Sequence, residues 1–261
     1  MSRPYRHKNV LLVTMAAFAF SLSSVAQAHP ATESSWSYPS TNWPTEYPDY
    51  CSQANSTTQQ SPINIANATF NSALGPLKID NYTNVNVVVK NNGHTIEAKF
   101  DDQSTNYIVY NNRTYNLNNI HFHQPSEHQI NGTGADMEVH LVHKATDGSG
   151  AVLVIGVLIK QGGENQGFGK ILGGIVSGKE ISLNPIQMIP GTKSVTNPNF
   201  CTYTGSLTTP PCTPPVTWVV LAKPITISSD QLTKFEGYYK GNARQPVQSP
   251  ITGLSLQKNF Q

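Results

Sequence analysis

The chain contains 261 residues, of which 38% are hydrophobic, and its 17 basic and 15 acidic residues give a formal net charge of +2. This content of apolar residues is enough for a folded core, and the length is compatible with one large all-β domain. The near balance of charges, with no basic block, argues against nucleic acid or an anionic membrane surface as a partner.

The first 28 residues have the features of a signal peptide. Three basic residues precede an apolar run at 10–25, and Ala26-Gln27-Ala28 matches a small-residue cleavage site. We therefore expect an exported protein, periplasmic or secreted, whose mature domain covers 29–261. The alternative is a retained membrane anchor. The apolar run is short and interrupted by serines, so no membrane span is expected after cleavage. The mature chain would have 14 basic and 15 acidic residues, a net charge of −1.

The chain has three cysteines, Cys51, Cys201 and Cys212, whose oxidation state depends on the compartment. An exported chain meets an oxidising compartment, so one disulfide and one free thiol are expected. Sequence spacing leaves the choice of pair open.

The predicted elements begin with an aromatic-rich arm. Residues 29–50 carry five Trp or Tyr side chains, which indicates an irregular segment packed on the domain surface. Residues 60–65 follow as a short extended segment, because Pro62 disfavours a helix. Asn91-Asn92-Gly93 and Asn111-Asn112 are predicted turns. Segments with β-branched or alternating apolar residues are predicted strands, at 85–89, 94–100, 107–110, 115–123, 151–159 and 218–222.

The run at 151–159 is apolar throughout, which is typical of a central strand buried on both faces. One helix is strongly indicated, because Ser228 to Gln231 form a capping box ahead of 232–239. A weaker helix at 168–177 contains glycines. Without an internal repeat or a low-complexity linker, the chain is predicted to form one mainly β domain.

Five of the eight histidines lie between residues 121 and 143. His121 and His123 are two residues apart, as are Glu138 and His140, so each pair projects from one face of a β-strand. If the two segments pair side by side, three imidazoles converge with a carboxylate behind the third. Three nitrogen donors with a vacant fourth position are typical of a catalytic zinc site. The alternative is polar strand residues, or core histidines with satisfied hydrogen bonds.

Several separate motifs extend this pattern along the chain. They are Gln60-Ser61-Pro62-Ile63, Asn91-Asn92-Gly93-His94, His121-Phe122-His123, Ser126-Glu127-His128, the segments 138–143 and 205–211, and Asn242-x-Arg244. With these motifs in this order, the chain resembles an alpha-class carbonic anhydrase over nearly all of 36–250. The resemblance implies a mainly β fold: a single domain around a large, twisted, mostly antiparallel central sheet with a few short helices.

The resemblance also implies an activity and its cofactor. The expected reaction is reversible hydration of CO2 to bicarbonate and a proton, by attack of a zinc-bound hydroxide. His121, His123 and His140 occupy the zinc-ligand positions. Thr208 would accept a hydrogen bond from the hydroxide and donate one to Glu127, which aims a lone pair at the substrate carbon. Taken alone, Thr208 is equally typical of a turn and Glu127 of a surface acid.

Two further groups of residues take roles from the resemblance. CO2 has no charge and no dipole, so its pocket should be largely apolar. The residues at the pocket positions are Val142, Val154, Leu207, Thr209, Val216 and Trp218. The apolar ones are also typical of an ordinary core. His94 occupies the proton-shuttle position, with Tyr38, Asn91 and Asn92 along the connecting water path. The alternative for His94 is a polar residue after a turn.

Ligand imidazoles usually donate their second N–H to a fixed acceptor. Glu138 suits His140, and Asn119 stands at the position of a common Gln behind His121. Because Asn is one methylene shorter, that hydrogen bond is expected to be lengthened or water-mediated. Two other departures from the family are Gln124, where animal members have Trp, and Pro214, at a usual acidic position. These departures bear on efficiency more than on the type of reaction.

The resemblance pairs Cys51 with Cys212 in a disulfide and leaves Cys201 as the free thiol. The expected partner is a small molecule, CO2 or bicarbonate, and a homodimer stays open. Weak esterase activity is compatible with the same site. Two other functions are retained as alternatives: a related binding or adhesion module without turnover, and a zinc hydrolase with another substrate. The first is disfavoured because all three ligand histidines are present.

Overall fold

The computed structural model describes residues 36–48, 51, 59–101, 104–191, 195–196, 198–247 and 254–256. They all belong to one unit, residues 36–261. The predicted signal peptide and the first residues of the arm lie outside the described residues, so the domain boundary at residue 29 stays a prediction. No helix of the described part of the chain is long and apolar enough to cross a membrane.

Short runs of apolar residues, mostly alternating with polar ones, form the strands. In chain order these are β1 (Asn64–Ile65), β2 (Thr69–Phe70), β3 (Leu77–Asn81), β4 (Val85–Asn91), β5 (Ile96–Lys99), β6 (Tyr107–Tyr110), β7 (Arg113–His123), β8 (Gln129–Ile130), β9 (Met137–Ala145), β10 (Val152–Gln161), β11 (Ile181–Leu183), β12 (Val195–Thr196), β13 (Phe200–Gly205), β14 (Val216–Leu221), β15 (Ile225–Ile227) and β16 (Ser255–Leu256).

The helices are few and short in the described residues. They are α1 (Trp43–Glu46), α2 (Gln166–Ser177) and α3 (Ser229–Glu236), with single 3₁₀ turns at Ser40–Asn42 and Pro185–Met188. The weaker predicted helix therefore exists as α2, with Asn165 as its N-cap. The capping box at Ser228 and Gln231 is also confirmed, but α3 starts and ends three residues earlier than predicted. The box is the start of the helix, not a segment preceding it, and the helical pattern stops at Gly237.

One large sheet contains fourteen of the described strands, in the main order β11-β4-β5-β7-β9-β10-β14-β13-β16-β2. Most neighbouring strands are antiparallel, and the parallel pairs within this sheet are β10 with β14, β10 with β15, and β16 with β2. The predicted fold class, a mainly β domain around a large and mostly antiparallel sheet, is confirmed. Strand β10 lies at the centre and is buried on both faces, as its apolar run predicted.

The hairpin between β6 and β7 shows how local sequence sets a turn. Asn111 and Asn112 have φ of 50° and 61°, and Tyr110 pairs with Arg113, so the loop has two residues. Two consecutive left-handed residues match the twist of flanking strands, and Asn tolerates this conformation better than most residues. The predicted turn is confirmed.

A β-bulge interrupts the pairing of β7 with β9. Leu117 pairs with His143, whereas Asn119 pairs with Val142, so β7 contains one extra residue at Asn118. Beyond the bulge, His121 lies directly opposite His140. Opposed residues in an antiparallel pair share a face, so the bulge changes which side chains of the two strands point the same way.

The two faces of the sheet carry two separate hydrophobic clusters. The larger includes Leu141, Ile155 and Val219 and packs against α2 and α3 through Phe168 and Phe235. The smaller lies on the other face, and its fully buried members are Ile63, Ile65, Val154, Cys201, Tyr203, Val216, Trp218 and Val220.

A third cluster ties the aromatic arm to the domain. Cys51 and Cys212 form the predicted disulfide, which packs with the fully buried Trp43. Cys201 is the free, buried thiol. The described part of the arm, residues 36–48, is more regular than predicted, because it contains α1 and the preceding 3₁₀ turn.

Candidate metal centre

Three histidines converge on the face of the sheet that carries the smaller cluster. His121 and His123 project from β7, and His140 projects from the adjacent β9, opposite His121. The ring centroids are 5.1 Å apart for His121 and His123, 5.2 Å for His121 and His140, and 4.6 Å for His123 and His140. One nitrogen from each ring lies within 4.8 Å of the other two, so the three side chains can share one metal ion.

Hydrogen bonds determine which nitrogen of each ring carries the proton. His121 Nδ1–H donates to Asn119 Oδ1 at 2.8 Å, and His123 Nδ1–H donates to the backbone carbonyl of Asn242 at 2.8 Å. His140 Nε2–H donates to Glu138 Oε1 at 3.0 Å. These acceptors have no proton to give, so the opposite nitrogen of each ring retains its lone pair.

The bond from His121 corrects one expectation from the sequence. The shorter Asn119 side chain was expected to lengthen the hydrogen bond or to require a bridging water, but the contact is direct. Asn119 also donates its own amide to Asn118 Oδ1 at 3.3 Å, within the bulge. In a regular strand, consecutive side chains point to opposite faces, but at the bulge the side chains of Asn118 and Asn119 meet. The residue spacing alone does not reveal this contact.

The environment keeps all three rings neutral. Burial, with the neighbouring His123 and His140, lowers the pKa of His121 well below its usual value. Burial also lowers the pKa of His123 to about 4 and reduces that of His140. His123 Nε2 is buried and has no hydrogen-bond partner among the described residues. Neutral, desolvated imidazoles with unshared lone pairs suit a zinc ion, so the donor set fits the expected metal.

Glu138 supports the metal centre by accepting the hydrogen bond from His140 Nε2. Burial alone would raise its pKa, but the proximity and hydrogen bonds of His128 and His140 hold the pKa well below its usual value. Its Oε2 accepts the backbone N–H groups of Glu127 and His128, at 2.9 and 2.7 Å. A carboxylate with this many donors stays ionised in the interior and fixes the ring of His140.

A second group of possible ligands, His128 with Glu138 and His140, is fully buried behind the first. Both nitrogens of His128 are already engaged: Nδ1 with Glu138 at 2.7 Å and Nε2 with the hydroxyl of Tyr203 at 2.6 Å. No lone pair is left for a metal at His128. This group is therefore a supporting network, and the first group is the candidate metal centre.

Glu127 lies against the metal centre with Thr208 beside it. Burial raises the pKa of Glu127 to about 7, while His140, the backbone N–H of Arg244 and the Thr208 hydroxyl oppose the rise. The Arg244 N–H bond to Glu127 Oε1 is 2.8 Å long. The Arg244 guanidinium donates in turn to the Ser61 and Cys51 carbonyls, at 2.6 and 3.2 Å. The disulfide segment and Glu127 are thus held by one residue, through the guanidinium and the backbone N–H of Arg244 respectively.

The apolar residues predicted to form the substrate pocket come together in one place. Val154, Val216 and Trp218 belong to the smaller hydrophobic cluster, with Val142 and Leu207 packed against it. The Trp218 ring lies 4.8 Å from the His140 ring, so this cluster adjoins the metal centre. Thr209 is half-buried, and its carbonyl accepts the Cys212 N–H at 2.8 Å.

His94 stacks face to face on Trp36 of the arm, with ring centroids 3.6 Å apart, and partial burial lowers its pKa. Asn92 Oδ1 accepts the N–H of His94, which fixes the turn.

The other residues predicted along the proton path have partners of their own. Asn91 accepts the hydroxyl proton of Tyr239 and the N–H of Gly93. Tyr38 is half-buried, and burial, with the charge of Glu127, raises its pKa well above its usual value.

Some contributors to the site were missing from the sequence prediction. The motif Asn242-x-Arg244 predicts no role for either residue, because each acts through a backbone group that carries no sequence signal. Tyr203, which contacts His128, belongs to none of the sequence motifs. The bulge at Asn118 does have a signal, because apolar residues fall at 115 and 117 and then at 120 and 122, a slip of one in the alternation.

The chain matches a known protein family and its solved structures. The family profile of eukaryotic-type carbonic anhydrases covers residues 39–260. A carbonic anhydrase of Klebsiella pneumoniae is 38% identical over 195 residues, 74% of this chain and 77% of that protein. One from Nostoc sp. is 32% identical over 94% of both chains. The alpha-carbonic anhydrase of Thermovibrio ammonificans, solved with the inhibitor sulfanilamide, superimposes with a TM-score of 0.67 at 31% identity, over 83% of this chain and 93% of that one.

Proposed function

The chain belongs to the eukaryotic-type, or alpha, carbonic anhydrase family, and on this premise we propose that it binds zinc through His121, His123 and His140 and reversibly hydrates CO2. One observation carries the proposal: the three rings converge with the lone pairs of His121 Nε2, His123 Nε2 and His140 Nδ1 left free by their hydrogen bonds. Bound zinc would supply a water molecule that ionises near neutral pH, as is general for carbonic anhydrases.

The residues around the centre would orient the attacking solvent molecule. Arg244 N–H holds Glu127 Oε1, and Glu127 in turn attracts the Thr208 proton. The Thr208 oxygen is then an acceptor and selects one orientation of a solvent O–H group. Orientation of this kind lowers the barrier because the reacting lone pair already faces the substrate.

The neighbouring apolar cluster would receive CO2. Trp218 lies beside His140, Val142 packs against the same apolar cluster, and apolar walls suit an uncharged substrate. Bicarbonate, once formed, is charged and is poorly held by such walls. The pocket therefore favours entry of the substrate and release of the product.

His94 is proposed to export the proton, with Tyr38, Asn91 and Asn92 along the path. An imidazole can both accept and release a proton near neutral pH, and partial burial lowers the pKa of His94, which favours release of the proton to solvent. The side chains of Asn91 and Asn92 both hold the turn through backbone N–H groups, so their contribution is to set the position of His94.

The proposed enzyme is exported, with its mature domain at 29–261 and CO2 or bicarbonate as its partner. The Cys51–Cys212 disulfide supports an oxidising compartment. Weak ester hydrolysis is compatible with the same centre, and a homodimer stays open.

Metal content and CO2 hydration, measured on wild type and on His121→Ala, test the metal centre. We expect about one zinc per chain in the wild type, and loss of both zinc and activity in the variant, because two nitrogens cannot close the site. Wild type that holds zinc and hydrolyses esters without hydrating CO2 would favour the hydrolase alternative. Wild type without any metal would favour the binding module.

The His94→Ala variant also removes one imidazole, as His121→Ala does, but from outside the metal centre. It should keep zinc and lose CO2 hydration by about tenfold or more in dilute buffer, because proton transfer becomes limiting. Added imidazole should restore the rate. An unchanged rate in dilute buffer contradicts the shuttle assignment.

A further inference from the structure

Gln124, the residue after His123, joins strand β7 to the loop that follows α3. Its side chain donates from Nε2 to Glu236 Oε1 at 3.0 Å and accepts the Gly241 N–H at 3.0 Å. Its own backbone N–H donates to Asn242 Oδ1 at 2.8 Å. We name these four residues, Gln124, Glu236, Gly241 and Asn242, the polar clasp.

Asn242 connects the polar clasp to the candidate metal centre. Its backbone carbonyl accepts His123 Nδ1–H at 2.8 Å, which sets the tautomer and the orientation of that ring. Its side-chain amide donates to the carbonyls of Phe122 and His94, each at 3.0 Å. One residue therefore holds both a proposed zinc ligand and the turn that carries the proposed proton shuttle. Asn242 is almost completely buried, so water does not compete for these bonds.

The chain path explains why Gln124 matters to Asn242. Gly241 has φ of +89°, a conformation that favours glycine, and its N–H points back to Gln124. The Gln124 amide spans the distance from this turn to Glu236, the last residue of α3. It therefore fixes both ends of the loop that delivers the Asn242 carbonyl to His123.

We propose that the polar clasp is a positioning device, in which Gln124 and Asn242 set zinc retention and the placement of His94 together. The inference rests on the proposed roles of His123 and His94. Directly after the second proposed ligand, this chain has an amide side chain with a hydrogen-bond partner on each side. Hydrogen bonds are directional, so loss of the single donor misplaces the loop.

A carboxylate introduced opposite Glu236 tests whether the clasp sets zinc retention. Gln124→Glu keeps the acceptor for Gly241 but sets a carboxylate against that of Glu236. We expect zinc release to a chelator to become about tenfold faster, the scale on which groups supporting a metal ligand act. Adding Glu236→Gln to this variant restores a donor and an acceptor in reversed order, and release should return to within about threefold of wild type.

Two controls separate positioning from general destabilisation. Gln166→Glu places the same charge on an exposed side chain at the first residue of α2 and should leave zinc release unchanged. Thermal unfolding of each variant shows whether the fold is intact. A folded Gln124→Glu variant that releases zinc at the wild-type rate overturns the proposal. So does a folded double variant without recovery.

Asn242→Asp tests whether the clasp also sets the placement of His94. It removes the donors to His94 and Phe122 but keeps the oxygen that accepts from Gln124. Both faster zinc release and a CO2 hydration rate limited by proton transfer are expected, with the rate, but not the zinc release, rescued by imidazole. A zinc effect without an imidazole-rescued rate would overturn the coupling to His94.

A wild-type protein that holds no zinc would refute the proposed function, not the clasp. In that case the exchange of the His123 Nδ1 proton with solvent, measured by NMR on metal-free protein, reports the Asn242 bond directly. Faster exchange in Gln124→Glu than in Gln166→Glu supports the clasp, and equal exchange overturns it.

Discussion

His143 lies three residues beyond His140 on β9, so it faces the opposite side of the sheet and has a different environment. Its Nε2 meets the hydroxyl of Tyr82 at 2.6 Å, and both side chains are buried. Burial lowers the pKa of His143 to about 3. Alternation along one strand therefore sends His140 to the metal centre and His143 into the core, although the two residues look alike in the sequence.

This pair predicts an acid sensitivity of folding. The folded state resists protonation of His143, whereas an unfolded histidine titrates near 6.5, so the stability is complete above about pH 6.5 and is lost as the pH falls toward 3. The loss from this group amounts to about 3 kcal/mol between pH 7 and pH 4. Urea titrations at stepped pH measure it.

The control is the double variant Tyr82→Phe with His143→Leu, which removes both polar partners and the titrating ring. Its free energy of unfolding should fall less steeply with acid than that of the wild type, by about the same 3 kcal/mol. The other buried histidines are common to both proteins and cancel. Equal pH slopes would show that His143 is not held neutral.

Among the elements, the starts of α2 and α3 share the hydrogen bonds of one side chain, that of Gln231. Gln231 Oε1 accepts the N–H groups of Ser228 and Asn165, at 3.1 and 3.0 Å, and its Nε2 donates to the Asn165 carbonyl at 2.7 Å. Ser228 caps α3, and Asn165 caps α2 through the Phe168 N–H. The capping box therefore stabilises two helix starts instead of one.

Substitutions in the capping box should separate the stabilisation of α3 alone from the stabilisation of both helix starts. Ser228→Ala removes one cap and should lower the free energy of unfolding by about 1 kcal/mol. Gln231→Ala removes three hydrogen bonds to part-buried backbone groups at the starts of both helices and should lower it by about 2 to 3 kcal/mol. Denaturant titration compares them. Equal losses would mean that Gln231 acts within α3 alone.

At the scale of the whole molecule, the disulfide connects distant parts of the chain. Cys51 and Cys212 are 161 residues apart, and the Cys212 carbonyl also accepts the Gln60 amide at 3.1 Å. The bond thus joins the arm to the segment that carries Thr208. Closing so long a loop stabilises the fold by on the order of 5 kcal/mol in the chain-entropy model.

Cys212→Ser should therefore lower stability far more than Cys201→Ser. Cys201 is a buried free thiol whose pKa burial raises to about 12, so it is inert, and Ser there costs only about 1 to 2 kcal/mol for a buried hydroxyl. Denaturant titrations without reductant compare the two variants. Similar midpoints would show that the disulfide contributes little to stability.

The sequence by itself determined the elements whose signals are local. Alternation marked most strands, two asparagines marked the hairpin, and Ser228 with Gln231 marked the start of α3. The spacing of His121 and His123, and of Glu138 and His140, placed each pair on one face of a strand. The family resemblance supplied the disulfide pair. These features follow from short-range geometry, which residue types control directly.

Only the tertiary structure decided how those pieces meet. The bulge at Asn118 shifts the register of β7 by one, which turns His121 toward His140. The tautomer of His123 depends on the backbone carbonyl of Asn242, 119 residues away in the chain. Every residue has such a carbonyl, so its partner leaves no mark in the amino-acid types. The slip in apolar alternation marks the bulge within β7, but which residue of β9 lies opposite His121, and which carbonyl meets His123, are settled by packing across the sheet.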